Sequence, residues 1–233
     1  MELHFNAKNY LQPLLDALHA ERSADNAYHM KRYMKNQFEF YGIKSPERRA
    51  IQATFLKGQP KLGEKEMTAM VKEAFQVDER EVQYFACEQV DKAVKRYSVT
   101  FIDTLKWMML TKSWWDTVDS VSKTVGRMVL QYPQLTKVMD KWIEGDKMWL
   151  QRAAIIHQLR FKKETDSDRL FGYCAYHAHS TEFFIRKGIG WALREYSKVN
   201  PKAVIEFIDT HPDLSGLSRR EGLKWVKNKG LLS

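Results

Sequence analysis

Thr111-Lys-Ser-Trp-Trp-Asp-Thr-Val-Asp-Ser120 reads as the start of a helix. Ser113 stands where an N-cap belongs, and Asp116 falls in the first turn, where a carboxylate suits the positive end of the helix dipole. Trp115 and Asp119 are four residues apart and share one face, while Trp114 points roughly 100° away. A ring beside a carboxylate can hold a cationic group between its π-face and the acid. Aromatic stripes at helical spacing are more often core. The chain around the stretch has to decide between the two roles.

Helix starts of related character recur on both sides. Glu81-Val-Gln-Tyr-Phe-Ala, Trp114-Trp-Asp-Thr-Val-Asp, Trp149-Leu-Gln-Arg-Ala-Ala and Phe184-Ile-Arg-Lys-Gly-Ile begin 33, 35 and 35 residues apart. A shorter helical segment follows each, near 98–110, 133–144, 168–178 and 201–210. Helix pairs at such a period bury their apolar faces only by stacking on neighbours. The period therefore predicts an all-α fold, a HEAT-like α-solenoid of antiparallel helix pairs. Repeats of roughly 79–112, 113–147, 148–182 and 183–233 follow N-terminal helices in 1–78. No linker rich in Gly, Pro or Ser divides the chain, so residues 1–233 read as one domain.

Within the N-terminal part, Leu11, Leu14, Leu15 and Leu18 form an i, i+3, i+4, i+7 stripe. A second helix is expected from about Asp25 to Phe38. Ser45 and Pro46 read as the N-cap and first residue of a third, which Gly58-Gln-Pro60 ends, and a fourth is expected near Leu62–Phe75. No stretch sustains the apolar–polar alternation of a strand.

Thirty-eight Lys and Arg face 29 Asp and Glu, a formal charge of +9. That excess favours anionic partners, nucleic acid first. The basic residues cluster: Lys31, Arg32, Lys35, Lys44, Arg48 and Arg49 early, Arg152, Arg160, Lys162 and Lys163 from the third start onward, Arg186, Lys187 and Arg194 on the fourth, and Arg219, Arg220, Lys224, Lys227 and Lys229 near the end. Any one cluster reads as a solvated helix face. Recurring once per repeat, they predict a concave basic groove that follows phosphates. Cys87 and Cys174 lie in no C-x-x-C pattern, which argues against a disulfide framework and a zinc site and fits a reducing compartment. The N-terminus has no basic-then-apolar leader, and no apolar run approaches the length of a membrane span. The expectation is a soluble, cytoplasmic protein.

Nucleophile-elbow, H-E-x-x-H, Walker and dinucleotide patterns are all missing. His177 and His179 make only a weak metal spacing and read as surface. What remains is an aromatic and carboxylate set: Tyr33, Trp115, Asp119, Arg152 and Trp191. Trp114, Trp142, Trp149 and Trp225 are expected in packing between helices.

Tyr33-Met-Lys-Asn36, Gly42-Ile-Lys-Ser-Pro-Glu-Arg-Arg49, Thr111–Ser120, Trp149-Leu-Gln-Arg-Ala-Ala154 and Phe183-Phe-Ile-Arg-Lys-Gly-Ile-Gly-Trp191-Ala-Leu-Arg-Glu-Tyr196 together resemble the AlkD-type DNA alkylation repair glycosylases. The blocks keep their order and separations from about residue 24 to 228. The resemblance implies a HEAT-like solenoid that excises cationic alkylated purines, chiefly 3-methyladenine and 7-methylguanine, from duplex DNA. It sets Asp119, Trp115 and Trp191 in the catalytic cleft, Arg152 on the DNA backbone beside the lesion, and Tyr33 at the cleft edge. Lys44, Ser45, Arg48, Arg49, Arg194 and Arg219 complete the expected DNA contacts. No lysine stands out as a Schiff-base nucleophile, so lyase activity is not expected. The expected partner is double-stranded DNA bearing alkylated purines, bound by a monomer without cofactor or metal. A HEAT-repeat module that binds nucleic acid or protein without chemistry is the alternative. Asp119 discriminates, because a pure phosphate binder gains nothing from a carboxylate facing the backbone.

Overall fold

The first helix, α1 (Ala7–Ala20), is capped by Asn6, whose Oδ1 accepts from the Asn9 amide at 3.0 Å. Its Leu11, Leu14 and Leu18 form one apolar face and are fully buried, each worth roughly 1.5–3 kcal/mol of transfer free energy. The computed structural model describes residues 5–231. Among them it contains thirteen α-helices and no strand, with one isolated parallel bridge between Glu39 and Glu79. Among the described residues no helix is long and apolar enough to cross a membrane. The chain forms two compact units, one through Thr104 and one from Leu105.

In the first unit α1 packs on α3 (Ser45–Leu56) and α4 (Glu64–Ala74), and α4 packs on α5 (Arg80–Ala93). Met67, Met70, Val71, Val82 and Phe85 fill the core. The helix α2 (Ala24–Tyr33) stops short of the expected Phe38. Lys35 and Asn36 both take left-handed backbone, φ 58° and 56°, and the Asn36 amide donates to the Lys31 carbonyl at 2.7 Å. Left-handed residues of this kind end helices. Gly42, at φ 85°, is the residue the following loop requires, because a Cβ there would lie 2.1 Å from the Ser23 carbonyl oxygen. Glu81 on α5 holds that loop. Its buried carboxylate accepts from the amides of Tyr41, Gly42 and Ile43 at 3.1, 2.9 and 3.2 Å. Burial pushes the Glu81 carboxyl up, and the three amide bonds pull against it. The chain then enters α3 one residue earlier than expected: Lys44 is the N-cap, Ser45 is already helical and Pro46 follows it.

After α6 (Ile102–Leu110) the second unit follows the predicted period closely. Its helices are α7 (Trp115–Gln131), α8 (Thr136–Glu144), α9 (Met148–Ile156), α10 (Ser167–Tyr176), α11 (Phe183–Ser197), α12 (Pro201–Thr210) and α13 (Gly216–Asn228). α7 packs on α9, α9 on α11 and α11 on α13, a row of consecutive first helices with α8, α10 and α12 beside it. α13, opened by Ser215 accepting from the Ser218 amide at 3.0 Å, extends the row and was not resolved as a separate element by the sequence period. Ser113 does not cap α7. Its Oγ donates to the Met109 carbonyl at 2.7 Å, and Trp114 takes the N-cap position in extended backbone without a side-chain cap.

Candidate functional site

Trp115 opens α7 and Asp119 follows one turn later, so both rise from the same face of the helix. Asp119 meets Arg152 of α9 through a two-pronged ion pair. Arg152 Nε donates to Oδ1 at 2.8 Å and Nη2 to Oδ2 at 2.9 Å. Nη1 donates to the Phe184 carbonyl at the start of α11, and the guanidinium lies 5.9 Å from the Phe184 ring centroid. Gly188, one turn further along α11, leaves room for the fork, since a Cβ there would stand 3.2 Å from Arg152 Nη1. The Arg152 side chain is 5% exposed and that of Asp119 17%. Three helices therefore fix one carboxylate through one arginine.

Asp119 and the half-buried Trp191 of α11 line a shared open cleft of about 620 Å³. Trp115 is half-buried at the head of α7 and is not part of this cleft wall. Ile156 and His157 at the end of α9 form its floor with Gly126 of α7. Beside the ion pair the rings of Trp114, Trp149 and Phe184 pack at centroid distances of 5.0 to 6.0 Å. Trp114 and Trp149 thus take the packing role expected of them, as does Trp142, 5% exposed. Trp225 is half-buried on α13.

The cations read as phosphate contacts divide sharply. Arg152 was expected on the DNA backbone, yet its fork is turned inward onto Asp119 and is nearly inaccessible. Arg48 is 4% exposed; its Nη2 donates to Glu88 at 2.9 Å and its guanidinium stacks 5.2 Å from the Tyr84 ring centroid. Arg219 donates to the Ile208 and His211 carbonyls at 2.7 and 3.1 Å, closing the C-terminal end of α12. Arg194 donates to Glu221 at 2.7 Å, which Lys187 also reaches at 2.8 Å, and the Lys187 bond leads in holding the Glu221 carboxyl below its usual range. Four expected phosphate contacts are thus held by partners within the fold. Lys44, Ser45 and Arg49 are exposed at the start of α3. Tyr33, 69% exposed, borders a depression of about 340 Å³ in the first unit together with Ser45 and Arg48. Of the histidine pair His179 is exposed and lies 3.3 Å from Asp213, whereas His177 is half-buried and bonds the Ile143 carbonyl.

Sequence reasoning passed over Lys123 and Arg127, which line the cleft with Asp119. Their signal was available, since they follow Asp119 at i+4 and i+8. It also passed over His157, 2% exposed, whose Nδ1 donates to the Ala154 carbonyl at 2.7 Å. Burial holds the imidazole neutral, with its pKa pushed down from 6.5 to about 4. A depressed histidine is neutral in the fold while the unfolded chain takes up a proton below 6.5. Its contribution to stability is therefore present above that pH and is lost as pH falls toward 4. The expected loss reaches about 3 kcal/mol near pH 4. Melting temperature against pH should fall less steeply over this window in His157→Gln; parallel curves would refute the assignment.

The chain matches, over residues 14–226, the family model described as DNA alkylation repair enzyme. A solved structure described as a predicted DNA alkylation repair enzyme from Enterococcus faecalis is similar with a TM-score of 0.83 and 34% identity, covering 88% of this chain and 96% of that one. The comparison with curated proteins returns no match. With the family model spanning nearly its whole length and the fold shared with such a structure, the chain belongs to the DNA alkylation repair enzyme family.

Proposed function

We propose that this protein is a monofunctional DNA glycosylase of base excision repair, hydrolysing the N-glycosidic bond of cationic N3- and N7-alkylated purines in duplex DNA. One observation carries the reading: the Asp119 carboxylate stands in a cleft beside Trp191 with both oxygens aimed by a single buried arginine. An N3- or N7-alkylated purine already bears positive charge, so it departs as a neutral base and needs no proton from a general acid. The difficulty lies in the deoxyribose, which gains positive charge as the bond stretches toward an oxocarbenium ion.

A fixed carboxylate stabilises that charge more in the transition state than in the ground state. Arg152 occupies one acceptor site on each oxygen of Asp119, leaving others for the sugar and for an attacking water. Trp191 supplies a π-face to the developing cation, stronger once water is excluded. Arg152 acts through Asp119 as a positioning residue. No cofactor enters this chemistry. Lys123 lines the cleft but takes no Schiff-base role, so hydrolysis ends at an intact abasic strand.

The test is release of 7-methylguanine and 3-methyladenine from methylated duplex DNA by the purified protein. Free base is expected, with the strand uncut until alkali is added. DNA binding with no base released would overturn the reading in favour of a non-catalytic module, and strand scission without alkali would overturn its monofunctional part.

A further inference from the structure

A second cavity of the second unit, about 360 Å³, opens where α9, α10 and α11 meet. Its floor is hydrocarbon: Ile155, Leu170 and Ala192 are all buried, and Val199, 39% exposed, extends it to the surface. Its mouth is basic, with Lys162, Lys163 and Lys198 on the wall and exposed. Lys198 is taken up by Glu195, the one carboxylate of the lining, at 2.7 Å. Lys162 and Lys163 make no ion pair among the described residues, so two positive charges remain over an apolar floor. The loop that carries them is ordered. Gln158, 5% exposed, accepts from the Asp166 amide at 2.8 Å and donates to the Asp166 carbonyl at 3.2 Å. Thr165 Oγ1 donates to the Lys162 carbonyl at 2.8 Å, and Lys162 itself takes left-handed backbone, φ 54°. A residue other than glycine keeps that conformation only where its surroundings impose it. The pocket is thus formed before any ligand arrives.

We propose that this pocket binds a small amphiphilic anion, an aliphatic carboxylate whose chain covers Ile155, Leu170 and Ala192 while its charged end meets Lys162 and Lys163. Its volume falls within the range of about 300–1,000 Å³ that takes small molecules. A bare anion would use the lysines and leave the floor wet, and a neutral hydrocarbon would use the floor and leave the charges unanswered. A chain ending in a carboxylate satisfies both. A nucleobase suits the pocket less well. Gln158 is the one buried polar side chain of the lining, and its amide oxygen and nitrogen are both committed to Asp166, so it is not left to read a base edge. Leu159 and Glu195 also line the cleft that holds Asp119, so a chain seated here lies behind that cleft's wall without entering it.

The test titrates the full chain, without DNA, with butanoate, hexanoate and octanoate and follows backbone amides by NMR. Saturable shifts are expected at Thr165, Ala192 and Val199, with affinity rising about fourfold for each CH₂ the pocket buries. Octylammonium, with the same chain and the opposite charge, should bind far more weakly. Lys162→Gln/Lys163→Gln should weaken octanoate by about three- to tenfold, the range that two exposed ion pairs supply. Both positions are exposed, and Lys163→Gln alone remains informative if the double variant fails to fold. Lys137→Gln, exposed on α8 away from the pocket, should change nothing. Affinity that does not grow with chain length reduces the site to surface lysines that take any anion, a DNA phosphate included, and overturns the proposal. Equal binding of octylammonium overturns the role of the lysines, as does full affinity in the double variant. Absence of saturable shifts at the three amides overturns the pocket itself. Because neither DNA nor base release is read, the outcome stands apart from the glycosylase reading.

Discussion

Asp119→Asn is expected to lower single-turnover release of 7-methylguanine by about 10²–10³-fold, the range seen when one fixed electrostatic partner of a transition state is removed. The amide keeps the shape of the acid and loses its charge. It also turns an NH₂ group toward a guanidinium that has only donors to offer, so one of the two short bonds to Arg152 is replaced by a donor–donor contact. The second consequence is structural. Arg152 is almost fully buried, and a buried cation stripped of its partner costs about 3–5 kcal/mol. The variant should therefore melt at lower temperature as well as react slowly, and a slow reaction alone would not identify the acid as catalytic. Asp119→Asn/Arg152→Gln separates the two effects. With both charges gone, an amide pair can bond across the same gap, and melting should recover most of the loss while excision stays low. A folded double variant that excises at the wild-type rate would remove Asp119 from the chemistry. An Asp119→Asn protein that melts like the wild type would remove the ion pair from the stability argument.

The row of helices was legible because its cause is local. Four related starts at a period of about 35 residues lead to helices beginning at Arg80, Trp115, Met148 and Phe183, each within a residue of the expected position. Helix ends were less legible. Lys35 and Asn36 had to be recognised as left-handed for α2 to stop at Tyr33, and only the asparagine gave a sign of it. Ser113 carries a hydroxyl that serves as readily as a donor to the carbonyl four residues back as it does as a cap, and composition does not choose between them. The largest gap concerns charge. Arg48, Arg152 and Arg194 are expected as phosphate contacts, and within the fold each meets a carboxylate 40, 33 and 27 residues away in sequence. A sequence counts cations well and says nothing of which acids the fold will bring to them. Asp119 and Trp191 nonetheless line one cleft. Helical spacing made Lys123 and Arg127 readable as neighbours of the acid, though not as members of a cleft.

Gly126→Ala is expected to destabilise the protein by about 2 kcal/mol, although alanine is the better helix former by about 1 kcal/mol. Gly126 lies on α7 where that helix crosses the end of α9. A Cβ there would stand 2.2 Å from the His157 carbonyl oxygen and 3.2 Å from the Phe161 ring. The nearer obstacle is backbone, so no rotamer change relieves it and the two helices must move apart. Overpacking of this kind costs about 1–3 kcal/mol, and with backbone as the nearer obstacle the upper end applies, outweighing the gain in propensity. Gly126→Val should cost more, since it adds volume and a branch at the same atom. The displacement reaches the site, because Asp119 rides on α7 and Arg152 on α9, and their two short bonds span the interface that Gly126 sets. Excision should fall with stability, and it should fall even at temperatures where the variant is folded. Gly172 gives the contrasting case within one chain. It lies on α10 with nothing within 4 Å of an added Cβ, so Gly172→Ala should hold or raise the melting temperature. Thermal melts of the three variants with single-turnover excision at 20 °C below each midpoint would decide the matter. If Gly126→Ala melts at or above the wild type, the close crossing of α7 and α9 is not what fixes the Asp119–Arg152 pair.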